Sequence, residues 1–524
     1  MTGIPERNPR RALPPADDVN ESADDTRVRP SVPRAAPDAP VGVADAGAPE
    51  PSPYAPLLAR WTRLRAWVRR QPRSAWVWSG LAFFAYWLFS TLQWRRFESP
   101  SWDLGIFTQV VQRYAHLQAP IVTIKGADYN ILGDHFHPLL VVLAPFYALF
   151  PSAYTLLVLQ ALLTAVGVFF ITKIAHEHLG RNGGWLIGGA YAFGWGVQQA
   201  MAVQFHEVAM GAPILAISLW LAMRERWLPA AIWGGLLVFI KEDLGLTVLV
   251  LGLVLAWRSR KLLIGASLAL WGLIMFVLTI AVFLPALNPN SQYDYARYIS
   301  AEELLGNPIG VIGEILTSDQ RMSTVLLLVM STGLFILRSN LGLLVLPTLA
   351  WRFLSTNDGH WGPTWHYSLM LMPIAAVAAV DGIARLRQSG SPFLRRYAHH
   401  GAVIVATFAV AISSQLPLFE LRNPEKWTTG PRQESARKVL EVVPTGAVVA
   451  TDVSLMSYLT ADRRDVYYIG QDGNPVADYL VVDTIGGGWS SPIQITDYAA
   501  TLHPEAQWEL VLDENGYQVA KKTP

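Results

Sequence analysis

The feature that most constrains this chain is the recurrence of apolar runs long enough to cross a bilayer, separated by short basic connections. The first run, AWVWSGLAFFAYWLFSTLQW at 75–94, follows the basic stretch LARWTRLRAWVRRQPR at 58–73. It has about the 20 apolar residues that a helical span requires. Arg and Lys accumulate on the cytoplasmic side of such spans, which predicts a cytoplasmic N-terminus. Spans are expected at 74–93, 152–175, 185–201, 208–223, 227–240, 244–257, 262–284, 323–337, 341–354, 366–386 and 401–419. With about 11 spans, the basic connections Lys173 to Arg181, Arg224 and Arg226, Arg258 to Lys261, Arg338, and Arg385 to Arg396 all fall inside. The composition agrees: 15% of residues are charged, against about 25% in soluble domains. The net charge of +1 gives no bulk basic character for nucleic acid, and with no Cys there are no disulfides, thiolate metal sites or Cys nucleophiles.

Residues 1–57 are rich in Pro, Ala, Asp and Arg and nearly devoid of aromatics, so a disordered cytoplasmic tail is expected there. No apolar h-region is present near the start, so no cleavable signal peptide is expected. The membrane domain is expected over 58–425 and an extracytoplasmic α/β domain over 426–524. In the latter, VVAT (448–451), VYYI (466–469), YLVVD (479–483) and WELVLDE (508–514) read as strands, with helices around 433–443, 453–460 and 496–502. ENG at 514–516 marks a hairpin turn, and GGGW at 486–489 reads as a turn, not a phosphate loop. The apolar segment 138–150 is too short to span and is expected to be re-entrant or interfacial on the outer side. KED at 241–243 interrupts the apolar stretch 228–257. Three charges at the bilayer centre would cost about 2.5–3.5 kcal/mol each, so a helical hairpin with KED at an outer tip is expected.

The remaining polar motifs all fall on the outer face of this topology: SWDLGIFTQ (101–109), LGDHFHPLL (132–140), VQFHEVAMGAP (203–213), FIKEDLG (239–245), PNSQYDYARY (289–298) and NDGHWGPTWHY (357–367). Inner loops are Arg-rich; outer loops carry the acids, imidazoles and aromatics. Each residue has two readings. Asp103 sits in a long connection, either in a site or as the N-cap of a helix. Asp134 would cap the helix that Pro138 starts or lie beside its positive end. His135 and His137, two apart, would project from one side and hold a phosphate or metal, or be structural. His206 and Glu207 are an imidazole–carboxylate pair suited to orientation or proton transfer, or an interfacial pair. Lys241, Glu242 and Asp243 would meet a phosphate or form a solvated turn. His360 and His366 flank WGPTW, in a carbohydrate-binding surface or an aromatic belt.

WDLGIFTQ, LGDHFHPLLVVLAPFYALFPS, LLVLQALL, FHEVAMGAP and FIKEDLGL, in this order, resemble the uncharacterised bacterial membrane-protein family known as domain of unknown function 2079. The likeness runs from about 74 to 385, and the C-terminal α/β segment also looks like that family's. The layout resembles GT-C glycosyltransferases, which implies a mainly α polytopic bundle with a small outer domain. It further implies a multi-pass plasma-membrane enzyme that transfers sugar from a polyprenyl-phosphate-linked donor to a glycan or protein acceptor of the cell envelope. By position Asp103 matches the superfamily's first-loop acid, although 101–104 reads SWDL and lacks the paired acids of some members. Inverting transfer needs a base for the acceptor hydroxyl and stabilisation of the departing phosphate. Asp103 fits the first role, and Lys241, His135 or His137 the second. The sequence identifies no cofactor, and a divalent metal ion is the one it admits. The alternatives are a lipid or solute transporter or flippase, for which binding at broken helices near the midplane is usual, and a non-catalytic envelope-assembly protein.

Overall fold

The computed structural model describes residues 54–299, 301–461 and 465–524; the tail expected over 1–57 lies, up to residue 53, outside the described residues. The chain forms two compact units, 1–65 and 66–524. In the first, the described residues begin the helix Ala55–Arg70. All that follows concerns the second.

Among the described residues, four helices are long and apolar enough to cross a membrane: Arg73–Arg95, Ala153–Ala202, Leu262–Leu287 and His366–Leu386. The pair Pro392–His399 and Gly401–Gln415, bent by 52°, makes a fifth if taken as one span. Shorter apolar helices include Val208–Met223, Trp227–Phe239, Leu244–Ser259 and Asn340–Leu354.

These segments form three helical hairpins. At Gly180 the backbone takes φ 81°, ψ −174°. A Cβ on Gly184 would lie 3.0 Å from that of His176, and one on Gly188 would lie 2.5 Å from the Thr172 hydroxyl. Eight residues apart on one helix are about 12 Å distant, so the chain doubles back at Gly180, as the separate runs 152–175 and 185–201 predict. The helices Leu244–Ser259 and Leu262–Leu278 pack still closer. A Cβ on Gly252 would sit 2.3 Å from Ala269 N, and one on Gly265 2.4 Å from the Ala256 Cβ. Such backbone contact requires small residues. The helix Trp227–Gly235 ends in a turn at 240–243 before Leu244. Gly234 faces Leu251 across it, which is the hairpin expected around KED.

These reversals sort the loops to two ends. At one, Arg258 bonds Asp381 and Asn340, and Asp381 also accepts from Arg385 and Ser339. Arg224 pairs with Glu177 at 3.8 Å and Lys173 with Gln71 at the same end. The other end carries the six polar motifs.

At that second end sits a five-stranded sheet of order β2-β1-β3-β5-β4, with β1 Val448–Thr451, β2 Asp465–Tyr468, β3 Tyr479–Asp483, β4 Trp508–Glu514 and β5 Tyr517–Lys522. β1 runs parallel to β2 and β3, and β5 antiparallel to β3 and β4. Helices Pro431–Val442, Val453–Thr460 and Ile495–Leu502 complete it, close to the expected bounds. Asn515 and Gly516, at φ 49° and 89°, form the two-residue turn that suits a hairpin's twist. Tyr458 stacks on Trp94 at 4.0 Å, and Gln109 and Thr123 both donate to Val466 O. The buried core runs on from bundle to sheet through Leu455, Tyr458 and Val481.

Candidate functional site

Asp103 lies in the first turn of the helix Trp102–Ala115, but it is not the cap: the Ser101 hydroxyl accepts from Leu104 N at 3.1 Å. With Ser101 closing the helix start, the Asp103 carboxylate is left for other work. Its Oδ2 stands 3.2 Å from His206 Nε2, and its side chain is 47% exposed, facing a partly open cavity. The cavity measures about 380 Å³. Asp103, His135, His206, Glu207, Lys241, Glu242, Asp243 and His366 all line it, and they come from five distant parts of the chain.

His137 does not. It is buried edge-on to Phe107, 5.5 Å between centroids, and its Nδ1 has no hydrogen-bond partner. The chain leaves the extended conformation at His137 (φ −130°, ψ 49°), so the two imidazoles do not share a side. Asp134 does not cap the helix that Pro138 starts, whose N-cap position is His137; it pairs with Lys125 at 2.8 Å and accepts from Tyr129 at 3.1 Å. Lys241 and Glu242 are no solvated turn, being 9% and 3% exposed.

The charges are arranged as pairs. Lys241 Nζ lies 2.9 Å from Glu207, and His135 Nδ1 lies 2.7 Å from Glu242. Burial pushes the Asp103 carboxyl up, but His206, Lys241 and His135 together hold it below its ordinary value. Burial likewise opposes ionisation of Glu207 and Glu242, yet Lys241 and His135 bring both well below the usual carboxylate range. Burial would lower the Lys241 ammonium, and Glu207, Asp243 and Glu242 more than reverse this. His135 is raised in the same way by Glu242 against burial. Asp243 is the exception. It makes no ion pair among the described residues, its Oδ1 is buried without a hydrogen-bond partner, and burial pushes it up to about 6 against the pull of Lys241.

Two bulky or polar residues at positive φ hold the imidazoles. Gln204 (φ 66°) offers its carbonyl to His206 Nδ1 at 3.2 Å, and Trp365 (φ 66°) immediately precedes His366. The two rings stack at 3.6 Å. Non-glycine residues at such angles store strain and cluster at functional sites.

Sequence reasoning named His360 but missed the tyrosines and the apolar wall of the lining. Tyr293 donates to Glu242 at 3.4 Å, and Tyr295 stacks on His135 at 4.3 Å. Both lie in PNSQYDYARY, where their aromatic spacing was the available signal. His360 faces Tyr298 from NDGHWGPTWHY. One wall is apolar: Leu246, Phe276, Ile280, Pro347, Ala350 and Leu354. Segment 138–150, which is short and helical as expected, is absent from it. Phe276 and Ile280 gave no signal because they sit inside an ordinary apolar run. Ile280 lies in a π-helical turn, Thr279–Phe283, a local widening often found at functional sites.

Among the described residues no group of three or more His, Asp or Glu is placed to hold a metal.

A multi-pass helical bundle thus carries a small sheet at one end, and a polar, half-apolar cavity lies among the loops of that same end. Residues 93–519 match the family described as predicted membrane protein (DUF2079), and the chain belongs to that family. Among solved structures it is similar to ArnT from Cupriavidus metallidurans bound to undecaprenyl phosphate, with a TM-score of 0.50 at 13% identity over 86% of this chain and 98% of that one. This likeness shows the fold. The apo state of the same ArnT gives 0.47 at 13% identity over 87% and 98% of the two chains. The Archaeoglobus fulgidus oligosaccharyltransferase gives 0.38 at 13% identity over 78% and 70%. No curated protein matches the chain in sequence.

Proposed function

We propose that the chain is a membrane glycosyltransferase that takes a sugar from a polyprenyl-phosphate-linked donor and passes it to a cell-envelope glycan or protein at the outer face. The observation that carries this reading is the convergence of Asp103, His206, Glu207, Lys241, Glu242, His135 and His366 on one cavity with an apolar wall. A lipid-linked donor needs both surfaces, the wall for its first isoprenes and the charged floor for its phosphate. ArnT, whose fold is shared, was crystallised with such a lipid. In this reading the bundle crosses the plasma membrane about eleven times, with the basic ends cytoplasmic and the domain over 426–524 outside.

Asp103 acts as the base. One carboxylate oxygen is held by His206, and the other takes no hydrogen bond within the protein among the described residues. The acceptor hydroxyl gives its proton to Asp103 as its oxygen attacks the anomeric carbon. The bond from that carbon to the phosphate oxygen breaks, and the polyprenyl phosphate leaves with the electron pair. Lys241 has ammonium protons beyond the one directed at Glu207, and His135 lies beside it, so both can balance the departing charge. Stacking against His366 and the strained turns fix His206, and through it Asp103.

The test is transfer from a radiolabelled polyprenyl-phosphate sugar by purified wild type and Asp103→Asn. Loss of about 10²–10⁴ in rate is expected for removal of a general base, with unchanged thermal stability. Full activity in the variant removes Asp103 from this role.

A further inference from the structure

A larger depression, about 780 Å³, is built from other elements: the end of the helix Arg73–Arg95, the helix Trp195–Ala202 and the connection 414–426. A neighbouring cavity of about 460 Å³ shares Gln93 and Lys426 with it, so the two form one trough. The trough ends at the sheet, on Arg432, Asp483 and Tyr517. From β1 the chain goes to β2 on one side, and β3 lies on the other. The gap between the carboxyl ends of β1 and β3 is thus a topological switch point, where open α/β sheets take ligands. Asp483 closes β3 at that gap.

The lining sets the ligand's chemistry. Its cations are largely spoken for: Arg96 pairs with Glu98 at 2.9 Å, Lys426 with Glu98 at 3.0 Å and Glu420 at 3.4 Å, and Arg432 with Asp483. Arg422 lies over the Phe419 ring at 4.0 Å. Two of the amides are free by contrast. Gln199 and Gln415 make no side-chain hydrogen bond within the protein among the described residues, whereas Gln93 donates to Ala202 O at 3.2 Å and keeps only its carbonyl oxygen unpartnered, and Gln433 and Asn423 are engaged by the backbone. An amide offers donors and an acceptor together, the complement of vicinal hydroxyls. A strongly anionic ligand would call for uncommitted cations, and a lipid tail for an apolar lining.

We infer that this trough binds a neutral saccharide chain. Its name as the acceptor subsite rests on the transferase reading: residues 96–100 lead straight into Trp102 and Asp103, and Ala202 shortly precedes His206. The binding itself does not depend on that reading.

The experiment presents the full chain, in nanodiscs and without donor, to an array of neutral oligosaccharides built on glucose, mannose, galactose and N-acetylglucosamine, with sulfated and uronic-acid chains alongside. Capture of a neutral chain is expected. The double variant Gln199→Leu/Gln415→Leu should bind it about tenfold more weakly at unchanged melting temperature, while Asp103→Asn binds as wild type does. Capture of no neutral chain, capture of anionic chains alone, or equal affinity in the double variant overturns the inference. Turnover retained by Asp103→Asn would remove the transferase mechanism and leave the trough standing.

Discussion

Both ends of the bundle bury charge, and they bury it differently. At the basic end Asp381 takes Arg258, Arg385 and Ser339 at once. At the other end Glu207 pairs with Lys241, Glu242 with His135 and Asp103 with His206 around a cavity of about 380 Å³, with Asp243 left over. The first arrangement is complete without a ligand and ties helices together. The second has open valences facing space, which is the mark of a site. Buried charge alone therefore does not identify function; unsatisfied buried charge beside a cavity does.

The contrast can be broken by substitution. The largest stability effect is expected for Asp381→Ala, which strands the buried Arg258 guanidinium; breaking such a pair costs about 3–5 kcal/mol. Denaturation in detergent should show it, and an unchanged midpoint would deny the cluster its structural role. Lys241→Met should fall at the low end of the same range, about 3 kcal/mol, because Glu207 can turn toward the cavity. Lys241→Met/Glu207→Gln should recover most of that stability yet fail to transfer sugar. Recovery of both would make the pair merely structural.

A pH series sharpens the comparison further. The Asp243 carboxyl is raised by burial to about 6, above its unfolded value of about 3.9. Its protonated form therefore stabilises the fold fully below about pH 4, and that contribution is lost as pH rises through 6. Asp243→Asn should melt higher than wild type at pH 7 and match it near pH 4; a constant difference would contradict the assignment. Asp103, Glu207 and Glu242 are lowered, so their contribution runs the other way and is lost on acidification. The smallest effect is expected for His137→Phe, which lies outside the cavity: turnover should not change, and a loss of transfer would return His137 to the site.

Much of this was legible in the sequence because hydropathy and loop charge are local. Basic connections such as Arg258–Lys261 and polar motifs such as FIKEDLG sort to opposite ends by one rule, and the short strands from VVAT to WELVLDE and the ENG hairpin turn are likewise local signals. What depends on backbone geometry was not legible. His137 and His135 part company because one residue leaves the extended region, and Ser101 displaces Asp103 as cap although both suit the position. The apolar wall is invisible in sequence, since Phe276 and Ile280 look like any span residues until a π turn and the neighbouring helix Leu346–Leu354 bring them to one cavity.

The central claim is that this cavity holds a polyprenyl phosphate, phosphate on Lys241 and His135, chain along the wall. A photoreactive polyprenyl phosphate, activated on the protein in nanodiscs and mapped by mass spectrometry, tests it directly. The account predicts labelling at Leu246, Phe276, Ile280 and Ala350, suppressed by excess unlabelled lipid. Labelling confined to outward-facing residues such as Leu263 and Leu270, with none on the wall, would contradict it.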